Sequence, residues 1–106
     1  MTNKKVCLVS ALLLMFAGTT SFAQSSAEAT YKAKCQMCHG AKGMADTPAA
    51  KSMKVLPVTD AAVKGMSEAK MIEAVHNGMG KMQPYKDKLS DAQIKDVVAY
   101  FRTFLK

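Results

Sequence analysis

Residues 35–39 read Cys35-Gln36-Met37-Cys38-His39, and this short stretch decides which folds the chain can adopt. Residues three apart on a helical turn face the same way, so the two sulfurs can reach one edge of a flat molecule. The histidine that follows can place its imidazole under the centre of that molecule. The pattern Cys-x-x-Cys-His is typical of covalent haem attachment, with His39 as the proximal iron ligand.

Three other kinds of site could use the same cysteines. A thioredoxin-like redox pair needs a βαβ setting, and the sequence shows no strand-like alternation of useful length. A structural zinc site needs four ligands, and His76 lacks the paired spacing that such sites show. A disulfide between Cys35 and Cys38 would close a very small loop, which removes little entropy from the unfolded chain. Haem attachment is the interpretation that fits best.

The first 23 residues have the pattern of a secretory signal peptide. Lys4 and Lys5 precede an almost wholly apolar run at residues 6–17, and the segment ends in Ser21-Phe22-Ala23. That run is too short to span a bilayer, which takes about 20 residues. An uncleaved membrane anchor is the alternative. We expect cleavage after Ala23, which leaves residues 24–106 as one domain in the periplasm.

Composition narrows the function of that domain. The chain of 106 residues has 15 lysine and arginine residues against 8 acidic ones, and the predicted cleavage removes Lys4, Lys5 and Cys7. A domain of this size usually needs a cofactor, a metal or disulfides to complete its core. The basic balance favours acidic protein partners. We do not expect nucleic acid, because the chain is exported and Arg102 is its only arginine.

Capping patterns and apolar periodicity predict an all-α domain with three main helices and a shorter fourth. The three main helices are expected at about residues 27–38, 67–76 and 91–105, and the short one at 49–54. The Ser-x-x-Glu pattern that starts at Ser25 marks the predicted beginning of the first helix. Long glycine-containing loops separate these helices, and wrapping a flat cofactor would explain such loops in a small domain.

The loop at residues 78–89 is the expected cover for the second face of the haem iron. It offers Met79 and Met82, and a methionine thioether is a soft, neutral ligand that favours ferrous iron. We predict Met82 as the sixth ligand, with Met79 in reserve, because Pro84 follows Met82 closely and stiffens the loop. The other methionines are expected to serve ordinary packing.

Together these pieces resemble the class I monohaem cytochromes c, and above all the small soluble bacterial and photosynthetic carriers. The resemblance covers nearly all of residues 26–106. It rests on the attachment motif after a short helix bearing Tyr31, on Thr47-Pro48, on the loop from Gly80 to Tyr85, and on the last helix. It implies a cytochrome c fold around one covalent haem.

The resemblance also implies roles for particular residues. Met82 matches the family's axial methionine, and the Pro48 carbonyl would accept a hydrogen bond from His39. Tyr31 and Tyr100 match the aromatic pair where the first and last helices cross. One departure is present: relatives often have proline directly after the axial methionine, whereas Gln83 follows Met82 here.

A haem with both axial positions filled has no site for a small-molecule substrate, so we expect a monomeric one-electron carrier and not an enzyme. Its partners would be membrane or soluble redox proteins, a reductase and an oxidase, that present acidic patches. Five lysines lie near the motif or the loop and could form a basic rim: Lys34, Lys42, Lys81, Lys86 and Lys88. The alternatives are a haem sensor in which Met82 is displaced by a gas or other ligand, and a methionine-rich copper binder.

Overall fold

The computed structural model describes residues 19–105. Within this range the helices are α1 (Thr19–Lys34), α2 (Gln36–His39), α3 (Pro48–Met53), α4 (Ala61–Lys64), α5 (Glu68–Asn77) and α6 (Asp91–Arg102). The described residues form no β-strand, so the predicted all-α class is confirmed. Most of the predicted signal peptide lies outside the described residues, and its expected cleavage point after Ala23 falls within α1.

The first helix differs from the prediction at both ends. It already includes Ser25, so this residue caps nothing, and Glu28 instead pairs with Lys32 at 2.9 Å, one helical turn on. The helix stops at Lys34, and the attachment motif forms the separate turn α2. Hydrogen bonds keep the two in register, because the Cys35 amide donates to the Tyr31 carbonyl at 2.8 Å and the His39 amide donates to the Cys35 carbonyl at 2.9 Å.

The later helices begin where the capping patterns predicted. Ser67 accepts a hydrogen bond from the Lys70 amide and starts α5. Ser90 and Gln93 form a reciprocal capping box at the start of α6. A cap of this kind contributes about 1 kcal/mol to helix stability. The short α3 is also confirmed, with Thr47 as its cap, whereas the four-residue α4 was not predicted because so short a helix leaves no periodic pattern.

Helices α1 and α6 cross through aromatic contacts, as the resemblance implied. Tyr31 is 1% exposed, and its ring centre lies 5.4 Å from that of Tyr100 and 5.5 Å from that of Phe104. Its hydroxyl donates a hydrogen bond of 2.6 Å to the Gly40 carbonyl, directly after the attachment motif. The crossing therefore fixes the motif against the C-terminal helix.

The core lies where α5 packs on α6. Met71, Leu89, Ile94 and Val98 form a buried cluster, and Ile94 is fully buried. Leu89 comes from the end of the loop before α6, so the loop is anchored in the core at that end. In residues 19–105 no helix is both long enough and apolar enough to cross a bilayer.

Candidate haem-binding site

A cavity of ≈ 680 Å³ lies between the helices, and all six of them contribute side chains to it. This volume is within the range of about 300–1,000 Å³ typical of ligand and cofactor sites. Most of its lining is apolar, including Val97, Val98 and Phe101 from α6. The cavity also brings together the predicted attachment and ligand residues, which are Cys35, Cys38, His39, Met79 and Met82.

The half-buried His39 places a polar ring atom in this cavity. Its Nδ1 is buried and has no hydrogen-bond partner in the part of the chain that the structure describes. The ring meets the edge of Phe101 with centres 5.4 Å apart, and burial lowers the pKa of His39 below its usual value. The imidazole is therefore neutral near pH 7, which is the form that binds a metal ion.

The two cysteines are free thiols that face the same cavity. Burial and the neighbouring Cys38 raise the pKa of Cys35 to about 11. A thiol with so high a pKa is almost fully protonated at neutral pH, unlike the cysteines of redox-active pairs. The Sγ atom of Cys38 lies 3.9 Å from the Sδ atom of Met53. This sulfur contact packs α3 against the attachment turn.

Pro48 is the residue whose carbonyl, by the resemblance, would accept a hydrogen bond from His39. It is the first residue of α3 and is exposed, and it does not belong to the lining of the cavity. In the structure His39 Nδ1 forms no hydrogen bond to the Pro48 carbonyl, since it has no partner among the described residues. Thr47 instead connects the two segments, because its hydroxyl donates to the Met37 carbonyl at 2.6 Å.

The loop that carries the two candidate sixth ligands folds back on itself in a tight turn. The amides and carbonyls of Met79 and Met82 exchange hydrogen bonds of 3.1 and 2.9 Å across Gly80 and Lys81. Gly78 has a φ of +80°, and a Cβ atom there would lie 2.8 Å from the Met82 carbonyl oxygen. Only glycine lets the chain turn so closely. Met82 is half-buried, whereas Met79 is 55% exposed, and this difference favours Met82 as the ligand.

Sequence reasoning missed the segment between α3 and α4. Met53, Lys54, Val55 and Leu56 all line the cavity. Lys54 has a left-handed backbone with a φ of 55° and ends α3. A lysine rarely adopts this conformation, so nothing in its residue type predicts the turn. The one available signal that this segment lines a cavity was an apolar pair before a proline, in Val55-Leu56-Pro57.

The residues that were weighed as zinc ligands are not all brought together in the structure. No three histidine, cysteine, aspartate or glutamate side chains gather as a metal site within residues 19–105. His76 is engaged elsewhere, with Nδ1 2.8 Å from the Asn77 amide oxygen and Nε2 3.7 Å from an Asp91 carboxylate oxygen. It does not line the cavity.

Comparison with known proteins agrees with the geometry. A family model described as cytochrome c oxidase, cbb3-type, subunit III matches residues 22–101. The chain belongs to this family of c-type cytochrome domains. Haem c is accordingly its cofactor, and electron transfer through haem is the activity that the family carries. No curated protein sequence matches the chain at a significant level.

Two solved structures show the same fold as this cytochrome. The KustC0563 c-type cytochrome superposes with a TM-score of 0.68 and 28% sequence identity, over 76% of this chain and 98% of that one. A chain of the Kuenenia stuttgartiensis reducing HAO-like protein complex Kustc0457/Kustc0458 superposes with a TM-score of 0.71 and 22% identity. That match covers 82% of this chain and 46% of the other, so the cytochrome spans less than half of its length.

The residues in the cavity fit haem c. Two thiols on one turn can form thioether bonds, and the neutral imidazole of the next residue can bind iron. With the other ring nitrogen on the iron, His39 Nδ1 would be free to donate a hydrogen bond that orients the imidazole. Cys35 and Cys38 would hold the group covalently, and His39 would ligate its iron.

Proposed function

We propose that this cytochrome is a periplasmic one-electron carrier that holds one haem, with His39 and Met82 as axial ligands. One observation supports this best: the attachment turn and the half-buried Met82 border the same apolar cavity. Bound haem supplies an iron that takes up and releases one electron between its ferric and ferrous states. The residues of the chain set how readily this happens.

The side chains have distinct tasks in this proposal. The neutral His39 and the Met82 thioether offer the iron no charge, and a soft sulfur ligand favours the ferrous state and raises the potential. Val97, Val98 and Phe101 keep water from one side of the cavity. Two permanent axial ligands leave no coordination site for a substrate, so we infer that the protein carries electrons without chemical turnover.

The charge around the cavity supports acidic redox proteins as partners. Lys34, Lys54 and Lys81 border it, and no carboxylate is among the described residues that line it. Lys34 and Lys81 belong to the predicted basic rim. Lys54 is an addition, whereas Lys42, Lys86 and Lys88 do not line the cavity. The family's description names an oxidase subunit and one structural neighbour is a protein complex, which also supports protein partners.

The proposal places the mature protein, residues 24–106, in the periplasm as a monomer. The signal-peptide pattern of residues 1–23 supports export, and covalent haem attachment in bacteria occurs outside the cytoplasm. Mass spectrometry of protein purified from the periplasm tests both points, since we expect a chain that begins at Gln24 and carries the mass of one haem. A purified protein whose chain still begins at Met1 would contradict cleavage after Ala23.

Visible spectroscopy with potentiometric titration of the exported holoprotein tests the ligation. We expect a weak red sulfur-to-iron band in the ferric form and no ready binding of carbon monoxide by the ferrous form. Rapid, stoichiometric carbon monoxide binding without that band would support the haem sensor instead. Copper titration of the same holoprotein should show no stoichiometric site, and saturation at one copper per chain would support the copper binder.

A further inference from the structure

We propose that Tyr85 is a positioning residue that holds the loop with Met82 against the attachment turn, and that Gln83 and Lys88 support it. We call these three residues and the Lys34 carbonyl the Tyr85 latch. This inference rests on the proposed function, because it concerns how firmly the proposed sixth ligand is held. Its consequence is control over access of outside ligands to the haem iron.

The first contact joins segments that are far apart in sequence. The Tyr85 hydroxyl donates a hydrogen bond of 3.1 Å to the carbonyl of Lys34, 51 residues earlier. Lys34 is the last residue of α1 and directly precedes Cys35. The carbonyls at a helix C-terminus lack partners within the helix, so Tyr85 satisfies one of them. A loop residue is thereby fixed beside the first haem-attaching cysteine.

Two further side chains complete the latch. The Gln83 side-chain amide donates to the Tyr85 hydroxyl at 3.3 Å, and its oxygen accepts from the Lys88 ammonium at 2.8 Å. The same ammonium lies 5.5 Å from the centre of the Tyr85 ring, a cation–π contact. Gln83 is the residue that stands where relatives often have proline. A proline there could make neither hydrogen bond, so this departure has a structural use.

The rest of the loop is held by few contacts. The Tyr85 and Lys86 amides donate to the Val75 and His76 carbonyls at 2.9 and 3.2 Å. Leu89 anchors the far end of the loop in the core. Between these points and Gly78, the turn of Met79 and Met82 bonds mainly to itself. When this turn moves away from the cavity, the hydrogen bonds of the Tyr85 latch must therefore break, or the latch residues must move with the turn.

The test is the rate at which imidazole displaces the sixth ligand of the ferric holoprotein, followed by stopped-flow visible absorption. Tyr85→Phe keeps the ring, its packing and the cation–π contact, and removes only the hydroxyl. One hydrogen bond is expected to change the population of the open loop by roughly two- to tenfold, so imidazole binding should accelerate by that factor. An unchanged rate in Tyr85→Phe would overturn the latch.

Tyr100→Phe is the matched control, because Tyr100 is also a partly exposed tyrosine but lies where α1 crosses α6. It should bind imidazole at the wild-type rate, and an equal acceleration in both variants would show a general loosening and contradict the latch. Gln83→Leu keeps the size of the side chain and removes both of its hydrogen bonds. It should also accelerate binding, and it provides the test if Tyr85→Phe does not fold.

A second measurement separates this inference from the proposed ligation. Hydrogen exchange of the Met79 and Met82 amides, which are bonded within the turn, reports loop opening whatever binds the iron. The latch predicts faster exchange at both amides in Tyr85→Phe. If the wild type lacks the sulfur-to-iron band, the proposed ligation fails, and faster exchange still supports the latch. Unchanged exchange in the variant rejects the latch even when the band is present.

Discussion

The attachment segment, residues 35–47, and the ligand loop, residues 78–89, border the same cavity but are built in different ways. The attachment segment contains the buried Gly40 and Gly43 and receives a buried hydrogen bond from Tyr31. A Cβ atom on Gly43 would lie 2.5 Å from Val58 Cγ1, which shows how closely this segment packs. In the ligand loop, all residues from Met79 to Lys88 except Met82 and Tyr85 are exposed.

This difference separates two tasks of one site. The attachment segment is fixed by packing, so the thiols and the imidazole are held in one arrangement. The ligand loop is held by a self-bonded turn and by surface side chains, so the proposed contact of Met82 with the iron could be adjusted by changing a few groups. If the proposed ligation holds, covalent attachment of the haem depends on the first region, and the potential of the iron depends on the second.

The largest expected effect is the loss of the attachment chemistry itself. Cys35→Ala with Cys38→Ala should abolish covalent haem, because no thioether bond can form. Haem staining after denaturing gel electrophoresis measures this directly. Met53→Leu is the control, since it alters the sulfur next to Cys38 without removing a thiol. A haem-stained band at the size of the double variant would contradict the assignment of the motif.

The loop should control the potential. Met82→Ala is expected to lower the reduction potential by a large part of the roughly 0.8 V that axial ligands can span. Met79→Ala, in the same turn but more exposed, should leave it nearly unchanged. Potentiometric titration of both variants compares the two methionines. If only Met79→Ala lowers the potential, Met79 is the ligand.

One tyrosine variant in each region allows a direct comparison, because Tyr31 and Tyr85 each donate a hydrogen bond from the hydroxyl to a backbone carbonyl. Tyr31→Phe leaves the buried Gly40 carbonyl with only the longer hydrogen bond from the Gly43 amide, at 3.3 Å. It should cost about 1.5 kcal/mol of unfolding free energy, the upper end of the range for one hydrogen bond, because the site is buried. Tyr85→Phe exposes the Lys34 carbonyl to water and should cost about 0.5–1.5 kcal/mol. Guanidinium unfolding of the holoproteins gives both values. A larger loss for Tyr85→Phe would reverse the ranking of the two regions.

The effect that is smallest near neutral pH is a pH dependence in the attachment region. Burial raises the pKa of Tyr31 above its usual value of 10.0, so the folded state keeps the proton that the unfolded chain releases. The contribution of Tyr31 to stability is therefore complete below about pH 10 and declines as the pH rises further. Above that point the advantage of wild type over Tyr31→Phe should shrink by about 1.4 kcal/mol per pH unit.

Unfolding curves from pH 7 to pH 11 measure this slope. The difference between wild type and Tyr31→Phe should be constant at the lower pH values and should narrow only toward the alkaline end. A difference that stays constant throughout would show that Tyr31 titrates as it does in the unfolded chain.

The parts of the fold that follow from local chemistry were predictable. Ser67 and Ser90 start their helices because their side chains cap amides close by, and that pattern is written in consecutive residues. The attachment motif is equally local. Ser25 shows the limit of such patterns, because the same capping signal lies inside a longer helix when the preceding residues also adopt helical geometry.

The parts that depend on distant contacts were not predictable. Lys54 lines the cavity through a left-handed turn that its residue type disfavours, and the hydrogen bond from Tyr85 to Lys34 spans 51 residues. No periodicity or spacing encodes such a pairing. The hydrogen bond from His39 to the Pro48 carbonyl was implied only by the resemblance. The described structure leaves His39 Nδ1 without a partner, so this hydrogen bond stays a prediction for the haem-loaded protein.

The three lysines at the cavity also have a kinetic consequence. At a physiological ionic strength of about 0.15 M, the Debye length is roughly 8 Å, so their field fades within a few water layers. They cannot draw a partner from a distance under such conditions. If the proposed acidic partners dock here, the lysines could orient a partner that is already close, so that it faces the side with Lys34, Lys54 and Lys81. At an ionic strength of 0.01 M the Debye length reaches about 30 Å, so the lysines would then also attract an acidic partner from a distance.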